Sequence, residues 1–219
     1  MEVTRRHMCK IQLISYGNVN CYLVTQNNTS ILVDTGREKD RDKILKQCEA
    51  ANVKLIVLTH GHIDHIQNAA YLSQKLNTPI AISREDSNLT KDNMLEPLSA
   101  KGLLGKLVLK ASIRSFKKDK VEPFTAKVFL KEGDMLTDFG IQAKVVNLAG
   151  HTKGSIGLDI AEKFLIVGDA LMNMVYPTVT MLYGNRENML KSADKISSIG
   201  ERTIYFGHGK PVRNRKWNK

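Results

Sequence analysis

The sequence has few cysteines, and none of them lie close together. Only three of its 219 residues are cysteine, at positions 9, 21 and 48. Disulfide scaffolds and thiolate zinc sites both need cysteines at short, paired spacings. We therefore exclude these two classes of protein and predict reduced, partly buried thiols.

Long apolar runs are also missing. No hydrophobic stretch approaches the roughly 20 residues that a membrane-spanning helix requires. The polar, basic residues 1–10 are not followed by the apolar core of a secretory signal. We therefore expect a cytoplasmic protein without a membrane span. Because 219 residues can bury a core of their own, we predict a single domain, 1–219.

Positive charge is in excess, but it is confined to two segments. The net charge is +11; residues 101–127 hold eight basic and two acidic residues, and residues 208–219 hold five basic residues and no acid. The rest of the chain carries twenty charges of each sign. These segments could attract a small anionic substrate or nucleic acid, although a solvated surface is the simpler interpretation.

Strand and helix patterns alternate along the chain. Strand patterns occupy residues 11–24, 30–33, 54–58, 80–82, 127–130, 141–148, 155–160, 164–167 and 203–206. Helical patterns occupy residues 40–51, 65–76 and 186–199. The asparagine-rich turn at 26–29 predicts a hairpin between the first two strands.

An irregular helical pattern covers residues 85–116, interrupted by Pro97 and two glycines. Its apolar side chains could form the buried side of a lid helix or, alternatively, belong to a basic membrane-surface helix. These apolar residues are Leu103, Leu104, Leu107, Val108 and Ala111. We predict a helical lid insertion over residues 85–118.

The strongest chemical signal is the motif His60-Gly61-His62-Ile63-Asp64-His65 at the end of the strand pattern 54–58. Such a pattern arises by chance on the order of once in a few thousand sequences. Imidazole nitrogens suit zinc, iron and similar ions, and His60 and His62 can point to one metal from an extended loop. Asp64 and His65, nearer the following helix, can face a second metal. A polar helix start capped by Asp64 is the alternative that we reject.

Three further candidate ligands follow predicted strands, each beside a glycine. They lie in the elements Gly150-His151-Thr152, Gly168-Asp169 and Gly207-His208-Gly209. Glycine lets the backbone bend sharply and brings a side chain into a crowded site. Five of the six histidines thus belong to one predicted site, whereas His7 is interpreted as an ordinary surface or core histidine.

In order and spacing these motifs resemble those of the metallo-β-lactamase superfamily, together with Asn20-Cys21-Tyr22-Leu23-Val24 and Leu32-Val33-Asp34-Thr35-Gly36. The resemblance covers nearly the whole chain. It implies an α/β fold, a four-layer αβ/βα sandwich of two mixed β-sheets flanked by helices. It also implies a dinuclear metal site at one edge of the sandwich, where the loops meet.

The resemblance further implies which residues hold the metals. One metal would be bound by His60, His62 and His151, the other by Asp64, His65 and His208, and Asp169 would bridge them. Asp34 matches a position that supports the site by hydrogen bonding without binding metal. The implied cofactors are two divalent ions, with zinc as the first choice and iron or manganese as alternatives.

A hydrolase mechanism follows from this resemblance. Two cations make a shared water acidic and polarise a carbonyl or phosphoryl oxygen on the open side. We expect a metal-bridging hydroxide to attack an ester, thioester or lactone-type carbonyl of a small molecule. Asp64 is the catalytic candidate, steering the nucleophile or receiving its proton.

Departures from individual branches of the superfamily narrow this expectation. The short segment after His208 argues against a glutathione thioester, and the lack of a tyrosine soon after Asp169 argues against an acyl-homoserine lactone. Asp169 itself argues against β-lactam hydrolysis, and His62 against the flavodiiron redox branch.

Two alternatives stay open, namely a phosphodiesterase or nuclease acting on an anionic substrate, and a mono-iron sulfur dioxygenase. A purely structural metal site is disfavoured because it needs no open position.

Overall fold

The structure, a computed structural model, describes residues 9–16 and 19–217. His7, the N-terminal segment 1–8 and the last two residues of the basic segment 208–219 lie outside the described residues. Within the described part, two β-sheets pack face to face and helices cover their outer faces.

The first sheet is mixed. Its strands are β1 (Lys10–Tyr16), β2 (Val19–Gln26), β3 (Thr29–Val33), β4 (Val53–Val57), β5 (Ile80–Ser83) and β7 (Val128–Leu130). They lie side by side in the order β1-β2-β3-β4-β5-β7. The first three pair antiparallel, and the pairs from β3 onward are parallel.

The second sheet is mixed as well. Its strands are β8 (Ala143–Asn147), β9 (Ile156–Ile160), β10 (Phe164–Gly168), β14 (Thr203–Phe206) and β15 (Val212–Arg213), in the order β15-β14-β10-β9-β8. Only the β10–β14 pair among these is parallel. Two small pairs stand apart, β6 (Ser99–Ala100) with β13 (Leu182–Tyr183) and β11 (Leu171–Met172) with β12 (Thr178–Val179).

Helices lie outside both sheets. They are α1 (Arg41–Cys48), α2 (Ile63–Ile66), α3 (Ala69–Leu76), α4 (Gly102–Lys118) and α5 (Arg186–Ser198). Ile44 of α1 and Leu72 of α3 pack on the outer face of the first sheet, and Ala193 and Ile196 of α5 pack on that of the second. The predicted four-layer αβ/βα sandwich is therefore confirmed.

The continuous apolar run of β4 is explained by burial on both faces of the first sheet. Leu55 and Val57 point into the core between the sheets, whereas Ile56 and Leu58 point into the layer beneath the helices. Successive side chains of a strand alternate between faces, so a strand buried on both sides must be apolar throughout. This strand also carries the chain straight to the His60 motif.

The hairpin at 26–29 is confirmed, while two predicted elements are divided in the structure. Asn27 and Asn28 connect β2 to β3 with φ angles of 50° and 62°, a conformation that asparagine tolerates. The predicted strand 11–24 is two strands, β1 and β2, with residues 17 and 18 outside the described part. The predicted helix 65–76 is split into α2 and α3 at Asn68, whose amide donates to the carbonyls of Thr35 and Arg37.

The helical prediction for 85–116 is wrong in its first half. Residues 84–97 form successive turns, and the helix α4 begins only at Gly102. Leu103, Leu104 and Leu107 are exposed, so they do not form the buried side of a lid. None of the helices in the described part is long and apolar enough to cross a bilayer.

Candidate metal centre

Strands of both sheets deliver the candidate ligands to one edge of the sandwich. His60 follows β4 in the first sheet, and Asp169 and His208 follow β10 and β14 in the second. His151 lies in the loop between β8 and β9. Strand ends meet at this edge, so residues far apart in sequence become neighbours.

The structure brings all seven predicted ligands together. Their potential ligand atoms form three overlapping groups, and within each group the atoms lie within 4.8 Å of one another. The groups are His60, His62 and His151; His60, His65 and Asp169; and Asp64, His65 and His208. Shared members make the three groups one continuous cluster.

Asp169 lies between the two ends of this cluster. Its Oδ2 is 3.7 Å from His151 Nε2 and 3.3 Å from His208 Nε2. Its Oδ1 is 3.5 Å from His65 Nε2. A carboxylate in this position can contact cations on either side, which is the arrangement expected of a bridging ligand.

Several buried polar atoms of the cluster lack a hydrogen-bond partner. Within the described part of the chain, these atoms are Nε2 of His60, His62 and His65 and Oδ1 of Asp169. A buried polar atom without a hydrogen bond costs about 1–3 kcal/mol, and the 3.5 Å ion pair between His65 Nε2 and Asp169 Oδ1 offsets part of that cost here. Nε2 of His60 and His65 and Oδ1 of Asp169 lie in the cluster, and His62 faces it with Nδ1, 2.9 Å from His151 Nε2. This set of imidazoles and carboxylates fits the coordination of zinc, iron or manganese.

Asp34 orients His65. The carboxylate is almost fully buried and accepts hydrogen bonds from His65 Nδ1, at 2.9 Å, and from the Thr59 amide, at 2.8 Å. With Nδ1 so engaged, the His65 Nε2 lone pair faces the cluster. Asp34 thus contacts a candidate ligand by a hydrogen bond, and its supporting role in a metal site stays a prediction.

Thr59 is a supporting residue that sequence reasoning missed. Its hydroxyl donates to Asp34 Oδ2 at 2.9 Å and lies 3.0 Å from Nδ1 of His60. That oxygen can accept the Nδ1 proton of His60, which leaves His60 Nε2 directed at the cluster. His151 is fixed in the same way, with Nδ1 2.8 Å from the carbonyl oxygen of Leu182.

Asp86 was also missed, although it joins two ligand loops. Its fully buried carboxylate accepts from the amides of Gly61 and Gly154, at 2.8 and 2.6 Å, and from the Thr152 hydroxyl at 2.7 Å. Burial raises the pKa of Asp86. The sequence offered only an isolated acid shortly after a strand, which is too common to single out.

Two buried asparagines form hydrogen bonds to the backbone of other ligand loops. Asn93 accepts a hydrogen bond from the Ile63 amide at 2.6 Å and donates to the Gly61 carbonyl at 2.8 Å. Asn20 donates to the carbonyl of Gly209 at 2.7 Å. The His60 motif and the His208 loop are therefore both held by side chains from distant segments.

The histidines of the cluster fall into two groups, one with lowered and one with raised pKa values. Burial lowers the pKa of His60 well below its usual value and, together with the neighbouring His151, lowers the pKa of His62 to about 3. Burial opposes charge on His65 and His208 as well. The nearby carboxylates together outweigh burial and raise both pKa values, Asp169 with Asp34 and Asp64 for His65, and Asp169 with Asp64 for His208, whose pKa rises to about 9. Without a cation, protons on these two imidazoles balance the carboxylates.

A cleft of about 490 Å³ opens above the cluster. Its floor contains His62, Asp64, His151, Asp169 and His208. Residues Val108, Ala111, Ser112 and Phe116 of α4 form one wall, and Leu98, Met172 and Met174 are among its other apolar lining residues. Arg37 and Lys39 also line it. The cleft therefore combines an apolar wall, cationic side chains and a polar floor.

Arg37 links the cluster to α4. One guanidinium nitrogen, Nη2, lies 3.9 Å from Asp64 Oδ2. The other, Nη1, lies 3.1 Å from Asp119 Oδ2 and 3.0 Å from the Ser115 hydroxyl. The C-terminal end of α4 is thereby tied to the catalytic candidate Asp64.

Gly207 leaves the space that two ligands occupy. A Cβ at this position would lie 2.1 Å from Asp169 Oδ1 and 2.7 Å from His65 Cε1. Both distances are far inside van der Waals contact. Any side chain at 207 would displace these ligands, so glycine is required here for space.

We therefore expect Gly207→Ala to weaken metal binding by about 10–100-fold, measured by chelator competition. Gly105→Ala is the matched control, because the new Cβ would make only ordinary contacts of 3.4 Å or more. Unchanged metal affinity in a folded Gly207→Ala protein would contradict the tight packing of the cluster.

The chain is similar to known proteins both in sequence and in fold. The model of the metallo-beta-lactamase superfamily matches residues 15–208. Hydroxyacylglutathione hydrolase GloC of Haemophilus influenzae is 27% identical over 196 residues, which covers 87% of this chain and 85% of that protein. The probable metallo-hydrolase YqgX of Bacillus subtilis is 23% identical over 194 residues, which covers 87% of this chain and 84% of that protein.

Solved structures share the fold at lower identity. BLEG-1 B3 metallo-beta-lactamase superposes with a TM-score of 0.73 at 21% identity, covering 93% of this chain and 94% of that one. TTHA1623 in a di-iron-bound form gives a TM-score of 0.67 at 21% identity, with the same coverage. The two layers of sheet and their outer helices are thus shared over nearly the whole chain.

Proposed function

Because this chain belongs to the metallo-β-lactamase superfamily, we propose that it is a hydrolase that uses two divalent cations to cleave an ester, thioester or lactone-type carbonyl in a small molecule. One observation carries the proposal: seven candidate ligands form one cluster, and five of them, His62, Asp64, His151, Asp169 and His208, line an open cleft. A structural metal site would have no use for that opening.

Two sets of ligands are proposed. His60, His62 and His151 would hold one cation and Asp64, His65 and His208 the other, with Asp169 contacting both. Zinc is the first candidate, with iron and manganese as alternatives, and the di-iron-bound neighbour supports iron. When bound, such ions act as Lewis acids and make water acidic enough to react near neutral pH.

Asp64 is proposed as the residue that orients the attacking water or accepts its proton. Its carboxylate faces the cleft, with Oδ2 3.6 Å from His208 Nε2 and 3.9 Å from Arg37 Nη2. Burial opposes charge on this carboxyl, but His65 and His208 outweigh it and lower the pKa of Asp64. The group is therefore ionised at neutral pH, so that one carboxylate oxygen could bind the cation while the other accepts a hydrogen bond from the water.

The cleft walls favour a substrate with an apolar acyl part and a negative group. Val108 and Phe116 of α4 would contact the acyl part, and Arg37 and Lys39 would attract the negative group. We propose α4 as a lid within a single domain, held over the cleft by the contacts of Arg37 to Ser115. Thioesters stay among the proposed substrates, because the relative named hydroxyacylglutathione hydrolase is matched over 85% of its length.

Metal analysis combined with a substrate panel tests the proposal. We expect two metal ions per chain by mass spectrometry of the purified protein, and hydrolysis within a panel of esters, thioesters and lactones. Chelation should abolish turnover, and zinc should restore it. One iron per chain with oxygen uptake on a persulfide would indicate a sulfur dioxygenase instead. Turnover of phosphodiesters alone would indicate a phosphodiesterase or nuclease.

A further inference from the structure

Large apolar side chains are exposed beside the mouth of the cleft. Leu103 and Leu107 of α4 are 82% and 67% exposed, and Val175 and Tyr176, in the loop between β11 and β12, are 74% and 60% exposed. Leu103 and Tyr176 line one shared groove, so the helix and the loop adjoin. We call these four residues the α4 patch. Clustered exposure of this kind marks an interaction surface more often than a solvated one.

Cations lie along the α4 side of the patch. The helix α4 carries five basic residues and no acidic residue in its sequence. All five are exposed, and within the described part of the chain none of them forms an ion pair. They are Lys106, Lys110, Arg114, Lys117 and Lys118. A partner that covers this face must therefore be apolar and anionic.

Helical spacing places leucines and cations on the same side of α4. Leu103 and Leu107 are four residues apart and thus lie on one side of the helix, with Lys106 and Lys110 adjoining them. The opposite side, which contains Val108 and Phe116, faces the cleft. Apolar residues flanked by basic ones that extend outward are the arrangement of a helix lying in a membrane interface.

We infer that the α4 patch docks on a lipid surface that contains anionic headgroups. A second copy of this chain fits poorly, because pairing two α4 helices would bring ten positive charges together. Acidic headgroups neutralise the lysines, and the acyl region accepts the leucines. The patch adjoins the cleft, since Leu104 lines the groove and Val108, in the next turn of α4, lines the cleft.

Vesicle sedimentation tests the inference without any measurement of activity. We expect the full chain to bind phosphatidylcholine vesicles that contain phosphatidylglycerol, and to bind pure phosphatidylcholine vesicles far more weakly. Added salt should reduce the binding, because headgroup attraction is screened. Failure of this test would leave the proposed hydrolase function untouched, since binding and turnover are read separately.

Matched variants locate the binding surface. Lys106→Ala with Lys110→Ala should weaken binding by about 30-fold, at about fivefold for each charge. Leu103→Ser with Leu107→Ser should weaken it by at least about tenfold. The control is Lys54→Ala with Lys163→Ala, which removes two exposed lysines at the opposite edge, near the starts of β4 and β10. The control should bind like the natural chain.

Four results would overturn the inference. The first is no binding of the natural chain to anionic vesicles, and the second is equal loss in the α4 and control variants. The third is a dimer in solution that dissociates in the Leu103→Ser and Leu107→Ser protein, which would assign the patch to a second copy. Salt-sensitive RNA binding that ignores the leucine changes, without vesicle binding, would equally reject it.

Discussion

Replacing Asp169 with asparagine is expected to lower kcat/KM by on the order of a thousandfold and to release bound metal. Asp169 contacts candidate ligands at both ends of the cluster, His151 at 3.7 Å and His208 at 3.3 Å. Asparagine keeps the shape but removes the negative charge that two neighbouring cations require. Turnover by the best substrate of the panel and metal content should therefore fall together.

A conservative surface change separates this effect from a general loss of charge. Asp138 is exposed in the short turn Thr137–Phe139, so Asp138→Asn removes one carboxylate away from the cluster. This control should retain both metal and turnover. Full turnover by an Asp169→Asn protein shown to be free of metal would refute the proposed metal chemistry.

Replacing Asp86 with alanine is expected to reduce the free energy of unfolding by about 3–5 kcal/mol. The change would leave the amides of Gly61 and Gly154 and the hydroxyl of Thr152 without their buried acceptor. Because these donors lie beside His60 and His151, metal affinity should fall as well. Denaturant unfolding of the metal-free proteins measures the first effect and chelator competition the second.

The isosteric change provides the comparison for Asp86. Asp86→Asn retains one acceptor oxygen and should therefore lose less stability than Asp86→Ala. Asp138→Ala, at an exposed position, should stay within about 0.5 kcal/mol of the natural chain. An Asp86→Ala protein as stable as that control would show that the three hydrogen bonds contribute little.

The candidate ligands could be predicted from the sequence because each of them lies in a recognisable local pattern. Three histidines within six residues, and single ligands flanked by glycine after apolar strands, are visible without any knowledge of the fold. The layers were predictable for a similar reason, since the buried runs of β3, β4 and β10 are short and apolar. The structure then brings these residues into one cluster.

The supporting residues were hidden because their role depends on contacts between distant segments. Asp86 and Asn93 lie in a stretch that the pattern predicted as helix. In the structure their side chains bind the backbone of the His60 motif, and the stretch forms turns. Similarly, the exposure of Leu103 could not be predicted from the sequence. Apolar residues at helical spacing show that a helix has an apolar face, but not whether that face is buried or exposed.

The ligands come from loops after strands of opposite sheets, and this has a thermodynamic consequence. His60 follows a strand of the first sheet and His208 a strand of the second, so the full set of donors exists only when the two sheets are docked. An unfolded chain could offer only the local His60 motif. Cation binding would thus be linked to the global folding equilibrium. Because the ions would bind only the folded state, in which the two sheets are packed together, they would raise the melting temperature of the protein.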